Sequence, residues 1–121
     1  MMATININIT DVRKLPSNKS ERVSQGLFNE TVEVMEEEDS MTRIRFSDSY
    51  EGWVGKQFIS RHSDQNSSQE FIVISCLAPA FERPDVTSKR LTCIPYGCRL
   101  YGQSGNGFIQ VNSMRYGNFY I

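Results

Sequence analysis

Side-chain chemistry concentrates first at Tyr50-Glu51-Gly52-Trp53, directly after the polar run Ser47-Asp48-Ser49. Tyrosine and tryptophan offer flat apolar area with a hydrogen-bonding edge, so aromatics at the start of a strand can form a shallow ligand platform. The same residues could instead serve packing, with Trp53 under a barrel rim and Tyr50 covering it. Nucleophilic chemistry is harder to assemble. Cys76, Cys93 and Cys98 are odd in number and form no Cys-x-x-Cys pair. They read as unpaired, half-buried thiols behaving as small hydrophobes. The single histidine, His62, lies in a polar stretch, a poor place for an ordered base. Catalysis by this chain is not expected. The cluster Glu36-Glu37-Glu38-Asp39 has no histidine or spaced aspartate to complete a coordination shell, so it reads as a solvated turn, and no metal or cofactor is expected. Gly102-Gln103-Ser104-Gly105-Asn106-Gly107 is followed by no Lys-Ser/Thr and reads as a flexible hairpin rather than a phosphate loop.

The elements that must position these residues are strands. Ile5, Ile7 and Ile9 alternate with Asn6, Asn8 and Thr10; Val32 and Val34 flank Glu33; Ile44 and Phe46 enclose Arg45; Ile109 and Val111 enclose Gln110. A period of two places each apolar set on one face of a half-buried strand. Helical spacing is almost absent. Between Ser60 and Glu70 the chain loses its apolar residues, a linker signature. The expected organisation is residues 1–60 as one module, 61–70 as linker and 71–121 as a second. The halves repeat: Pro16 and Pro84, Ser20 and Ser88, Val23 and Leu91, Phe28 and Tyr96, Asn29 and Gly97, Val32 and Leu100 all stand 68 residues apart. Beyond that the register is expected to shift, with Arg43–Phe46 answering loosely to 107–111 and Gly52–Val54 to 117–121. The fold class predicted is all-β, two tandem small barrels of four or five strands each, whose closure would remove exposed edges.

Composition narrows the partners. With 13 basic and 14 acidic side chains the net charge is −1, which argues against binding nucleic acid by phosphate neutralisation. A 39% hydrophobic content suffices for a core. No apolar run approaches a membrane span, and the N-terminus lacks the basic start and apolar block of a secretory signal, so the expectation is a cytoplasmic protein without membrane partners. The triplet Asn29-Glu30-Thr31 is then an incidental glycosylation match.

The ordered set Val12-Arg13-Lys14-Leu15-Pro16-Ser17, Ser20-Glu21-Arg22-Val23-Ser24-Gln25 and Tyr50-Glu51-Gly52-Trp53-Val54 resembles the bacterial Src-homology-3-like domain, in the version found at the N-terminus of NlpC-type cell-wall peptidases, the γ-D-glutamyl-L-diamino-acid endopeptidases or dipeptidyl-peptidase VI. The resemblance covers residues 4–60 well and 71–121 moderately. It implies a pair of Src-homology-3-like barrels ahead of a papain-like catalytic domain that cleaves murein-derived peptides. That domain, with its nucleophile in Asp-Cys-Ser-Gly, is missing here, so the chain reads as the non-catalytic substrate-recognition region of such a cysteine peptidase, with a fragment, a truncated gene and a separately made domain all compatible with the sequence. The resemblance further implies that Tyr50 faces the catalytic cleft and helps hold the N-terminal residue of the peptide. Glu21 is a second candidate: a free α-amino group needs an anionic partner, and a carboxylate gives it a charge-assisted hydrogen bond that a blocked peptide cannot form. The expected substrate-binding set is Tyr50, Glu21, Glu51 and Trp53, with a murein peptide bearing a free N-terminus and the catalytic domain as partners. Glu21 could instead form a surface pair with Arg22 or Lys19, of little worth. A self-standing peptidoglycan- or protein-binding module is the alternative function. Docking of Pro-rich peptides fits less well, because Phe28, Phe46, Tyr50, Trp53 and Phe58 would have to serve both core and groove.

Overall fold

Asn6, Ile7 and Asn8 break the N-terminal alternation into two strands. Asn8 Oδ1 accepts the Ile9 N–H at 2.9 Å, and Asn6 Nδ2 donates to the Gln57 carbonyl and to Ser60 Oγ. Side chains that bond to nearby or crossing backbone turn a chain rather than extend it. The computed structural model describes residues 1–61 and 69–121. The strands are β1 (Met2–Ile5), β2 (Ile9–Arg13), β3 (Arg22–Leu27), β4 (Thr31–Glu38), β5 (Met41–Arg45), β6 (Glu51–Gly55), β7 (Ile59–Arg61), β8 (Gln69–Ile72), β9 (Leu77–Phe81), β10 (Arg90–Pro95), β11 (Arg99–Gly105), β12 (Phe108–Ser113) and β13 (Gly117–Tyr120). A 3₁₀ turn, Lys56–Phe58, precedes β7. The chain divides into a first unit, Met1–Ser63, and a second, Asp64–Ile121. The strands take Arg61, Gln69 and Glu70 out of the expected 61–70 linker; His62 and the rest of that linker lie outside the described residues.

Each unit is one antiparallel sheet, in the order β3-β2-β6-β5-β4-β1-β7 and β10-β9-β13-β12-β11-β8. The fold is all-β with two small Src-homology-3-like domains, as expected, but the sheets have seven and six strands rather than four or five. Ala3, Val12, Val32, Ile44 and Val54, from five strands of the first sheet, meet in one buried cluster, so that sheet curls around its own core. It does not close by hydrogen bonds: β3 and β7 are its edges among the described residues. The second unit buries Ala80, Ile94, Leu100, Val111 and Phe119.

The repeat holds atom by atom. Around Pro16 and Pro84 the following N–H folds back two residues, Ser17 to Leu15 O and Asp85 to Arg83 O, both at 2.7 Å, a turn that proline's fixed φ suits. Ser20 Oγ and Ser88 Oγ each receive a backbone N–H, from Leu15 and Arg83, and donate toward the carbonyls of Leu15 and Ser17 or Arg83 and Asp85. Asn29 (φ 66°) and Gly97 (φ 86°) take the same left-handed turn. The pairing of β2 with β3 slips at Val12/Arg13, and that of β9 with β10 slips at Arg90/Thr92, so one bulge is repeated 68 residues on.

The later register shift is one residue, smaller than the sequence suggested. Val34 faces Ile44 as Gly102 faces Val111. A bulge between Val34 and Glu36 in β4 has no counterpart in β11, and so the offset drops from 68 to 67. Arg43–Phe46 therefore answers to 110–113, and Trp53, opposite Arg13, answers to Tyr120, opposite Phe81.

Candidate functional site

The turn before β6 is set by Asp48, whose Oδ1 accepts the Tyr50 N–H at 3.0 Å, and by Ser49, which takes φ 71°. The Phe46 N–H donates to the Tyr50 carbonyl at 2.8 Å and closes it. Tyr50 is thereby held outward, 45% exposed, with its hydroxyl 3.5 Å from the Val23 carbonyl oxygen on β3. An O–H···O hydrogen bond runs nearer 2.7 Å, so this hydroxyl proton stays available to a ligand. Val23 is two residues beyond Glu21, which puts the Tyr50 tip and the Glu21 segment at one rim of the first unit.

Glu21 is exposed, its carbonyl accepts the Lys14 N–H at 2.9 Å, and its carboxylate has no ion pair among the described residues. The surface pair with Arg22 or Lys19 does not form. Arg22 lies 3.6 Å from Asp11 instead, and Arg13 binds Asp11 at 2.8 Å while donating to the Ser20 carbonyl at 3.2 Å. Asp11 thus anchors both arginines and leaves the neighbouring Glu21 carboxylate open. The sequence reading passed over Asp11 and Arg13 as site residues. Their i, i+2 spacing on a strand was the signal, since it puts both on one face.

Glu51 and Trp53 are placed differently from Tyr50 and Glu21. Glu51 forms a close ion pair with Arg43, whose Nε also donates to Glu36 at 3.0 Å. Trp53 is 7% exposed, and its cross-strand neighbours are Arg13 on β2 and Arg43 on β5. Directly opposed residues share a sheet face, so the long arginine stems stand beside the indole. Trp53 therefore serves packing, and Glu51 fixes an arginine. Of the four candidates the structure brings Tyr50 and Glu21 to an accessible rim, and assigns the other two to the sheet face beside it.

Two further carboxylates shape the field. Burial pushes Glu30 up, opposed by the hydrogen bond it accepts from the Leu27 N–H at 2.8 Å and reinforced by the negative charge of Asp48. Glu33 is held below the usual carboxylate range, first by its hydrogen bond from Arg45 at 2.9 Å and then by the guanidinium charge. Among the described residues no group of three or more histidine, cysteine or acidic side chains is gathered to hold a metal. Cys76 is exposed, Cys93 half-buried and Cys98 buried; His62, the remaining partner of any dyad, lies outside the described residues. No helix among the described residues is long and apolar enough to cross a membrane.

Residues 12–57, from β2 through the middle of the 3₁₀ turn, match the family described as the bacterial dipeptidyl-peptidase Src-homology-3 domain. This match lies within the first unit, and the second unit is that unit's structural repeat. A crystal structure of an NlpC/P60 family protein from Bacillus cereus ATCC 10987 superposes with a TM-score of 0.75 at 14% identity, over 99% of this chain and 53% of that one. The chain thus spans about half the length of that protein, and at this identity the likeness is one of fold. NlpC2 and NlpC1 from Trichomonas vaginalis are more distant, each with a TM-score of 0.46, at 14% and 15% identity, over 98% and 99% of this chain and 44% and 42% of theirs. No curated protein matches the sequence.

Proposed function

We propose that this chain is the non-catalytic substrate-recognition region of an NlpC-type cysteine peptidase that cleaves murein-derived γ-D-glutamyl peptides in the cytoplasm. The catalytic domain, in the same polypeptide, is its partner, and the rim of the first unit supplies one wall of the substrate site. The observation that carries this reading is the pairing, at one rim, of an outward tyrosine whose hydroxyl is only loosely engaged with a carboxylate that has no ion pair among the described residues. Glu21 takes the ammonium of a peptide's free N-terminus, and the Tyr50 hydroxyl donates to a carbonyl oxygen of the first residue. A substrate without that ammonium leaves Glu21 unpaired, which penalises intact or blocked wall peptides.

The test joins the chain to an NlpC-type catalytic domain and measures kcat/KM on an L-Ala-γ-D-Glu-diamino-acid peptide and its N-acetylated form. Glu21→Gln should lower kcat/KM for the free peptide by roughly 10–100-fold, the worth of about 1.5–3 kcal/mol for a hydrogen bond to a charged group, and narrow the preference over the acetylated form. Tyr50→Phe should raise KM for both peptides alike. Unchanged cleavage by both variants would overturn the assignment.

A further inference from the structure

The rim that carries Tyr50 and Glu21 in the first unit recurs in the second with different chemistry. Antiparallel pairing of β9 with β13 through Phe81↔Tyr120 puts the end of β9 beside the start of β13, so the 82–89 loop and the 114–116 turn leave the sheet at one end. Lys89 O accepts the Glu82 N–H at 2.8 Å as Glu21 O accepts the Lys14 N–H, and Ser113 pairs with Gly117 as Phe46 is bonded to Tyr50. Lys89 therefore stands where Glu21 stands, Arg115 where Asp48 stands and Gly117 where Tyr50 stands. A Cβ on Gly117 would meet nothing within 4 Å, so the outward tyrosine has no equivalent and its place is open. Four of the unit's five basic side chains, Arg83, Lys89, Arg90 and Arg115, lie in or beside these two segments; the fifth, Arg99, binds Glu70 on β8.

Both segments hold an apolar side chain out in water. In the loop, Asp85 Oδ1 accepts the Thr87 N–H at 2.9 Å and the Thr87 hydroxyl at 2.7 Å, while Ser88 Oγ accepts the Arg83 N–H and donates toward the Arg83 and Asp85 carbonyls. Val86 is left at the apex, 69% exposed. In the turn, Ser113 Oγ accepts the Tyr116 N–H at 2.9 Å and donates to the Gly117 carbonyl at 3.2 Å, and the Tyr116 ring packs edge-on against buried Phe119. Met114 is left at that apex, 81% exposed, with Arg115 beside it. The first unit has Asn18 and Ser47 at these two positions. Apolar residues scattered singly on a surface need no explanation. Two hydrogen-bonded tips at one end of a sheet, both polar in the repeat and both flanked by cations, do. The acids among them are Glu82 and Asp85, and Asp85 is engaged by Thr87.

We propose that this end of the second unit docks on an anionic lipid surface, with Val86 and Met114 entering the interface and Arg83, Lys89, Arg90 and Arg115 meeting the headgroups. Peptides are taken up in grooves or along strand edges; separate tips ringed by cations suit a surface that is anionic above and apolar below. The expectation of no membrane partner rested on the lack of a spanning segment, and a protein that lies on a bilayer needs none. In the cytoplasm the leaflet it would meet is the anionic one. Neither Tyr50 nor Glu21 takes part, so this docking holds whether or not the peptidase reading does.

The test sediments the full chain with vesicles of phosphatidylcholine alone and of phosphatidylcholine mixed with phosphatidylglycerol. The chain should pellet with the mixed vesicles only, and less so as the screening length shortens from about 30 Å at 0.01 M salt to about 8 Å at 0.15 M. Lys89→Glu with Arg115→Asp installs the first unit's residues and should weaken partitioning roughly 25-fold or more, since each cation near such a surface contributes about fivefold. Val86→Asn with Met114→Ser, likewise the first unit's residues, should weaken it severalfold and by the same factor at both salt concentrations. Should either pair lower the thermal midpoint, Lys89→Gln and Met114→Ser singly serve in its place, with about a fivefold loss expected for Lys89→Gln. No pelleting with the mixed vesicles at 0.01 M salt would overturn the proposal. So would equal pelleting with both lipids or equal pelleting of parent and variants. Displacement from the mixed vesicles by hexaglutamate at a charge concentration matching the lipid's would also overturn it, and would mark the rim as a site for an acidic peptide.

Discussion

Three carboxylates surround the Tyr50 turn, and two are engaged. Asp48 accepts the Tyr50 N–H, and Glu51 holds Arg43 together with Glu36. Glu51→Gln should therefore leave peptide discrimination near its starting value in the joined protein, whereas Glu21→Gln removes it; that contrast in kcat/KM ratios separates a binding carboxylate from a structural one. Glu30 makes a different point. Its pKa is raised from 4.5, chiefly by burial, so the folded state binds its proton more readily than the unfolded state. Stability from this residue is accordingly present in acid and declines as pH rises from about 4.5 through the raised folded value. Glu30→Gln keeps an oxygen for the Leu27 N–H and discards the buried charge. It should raise the urea midpoint of the first unit at pH 7, read by fluorescence of the single tryptophan, Trp53, and give no gain at pH 4. A lowered midpoint at pH 7 would show that the charge itself is needed.

Among the strands, glycines that look alike in sequence do different work. The run Gly102 to Gly107 reads as one flexible hairpin, yet only Asn106 (φ 54°) and Gly107 (φ 78°) form the turn, and Gly102 lies inside β11 opposite Val111. A Cβ on Gly102 would stand 2.1 Å from the Gln110 carbonyl oxygen, while one on Gly105 would meet nothing within 4 Å. Gly102→Ala should cost about 1–3 kcal/mol or more by forcing the backbones apart, and Gly105→Ala should be neutral or stabilise by about 0.4–1 kcal/mol; thermal midpoints distinguish the two. The β4 bulge supports a second test. Since β11 runs without it, deleting Met35 should give the first unit the pairing already used by the second, with the β-sheet circular dichroism retained and only a modest fall in midpoint. Legibility follows the same division. Period-two patterns identified β4, β5 and β12, and the 68-residue offset identified both proline turns and the strands β3 and β10 that follow them, because these depend on short stretches of sequence. The bulge, the two polar-flanked strands β1 and β7, and the Arg43–Glu51 pair depend on which residues face each other across strands, and no local pattern encodes that. Tyr50 and Glu21 were singled out through family resemblance; the burial of Trp53 beside two arginines required the register.

At the scale of the whole chain, the repeat has kept its backbone and divided its charges unequally. Residues of Met1–Ser63 include 10 acidic and 8 basic side chains, against 4 and 5 in Asp64–Ile121. The face that holds Glu36, Arg43 and Glu51 in the first unit carries Gln103, Gln110 and Asn118 in the second, with Gln103 opposite Gln110 as Glu36 is opposite Arg43. Ion pairs link the first ladder, uncharged amides stand in their place in the second, and salt acts on only one of these. Raising the salt from about 0.01 M to 1 M shortens the screening length from about 30 Å to about 3 Å. Amide exchange on β5 and β12, central strands paired on both sides, reports each unit separately. Salt should speed exchange on β5 a few-fold and leave β12 nearly unchanged. Acid should not discriminate in this way. Glu33 is depressed by Arg45, and Asp85 is depressed by the N–H and hydroxyl of Thr87, so each contributes stability above its unfolded value, 4.5 or 3.8, that is lost as pH falls through the lowered folded one. The donors on Asp85 are neutral and those on Glu33 are cationic. Both units therefore weaken in acid, whereas salt acts on the Glu36–Arg43–Glu51 ladder and not on the amides that replace it, the Arg99–Glu70 pair of the second unit lying away from β12 on β8 and β11; equal salt sensitivity of β5 and β12 would mean that the ion pairs of the first unit contribute nothing its amide-bearing repeat lacks.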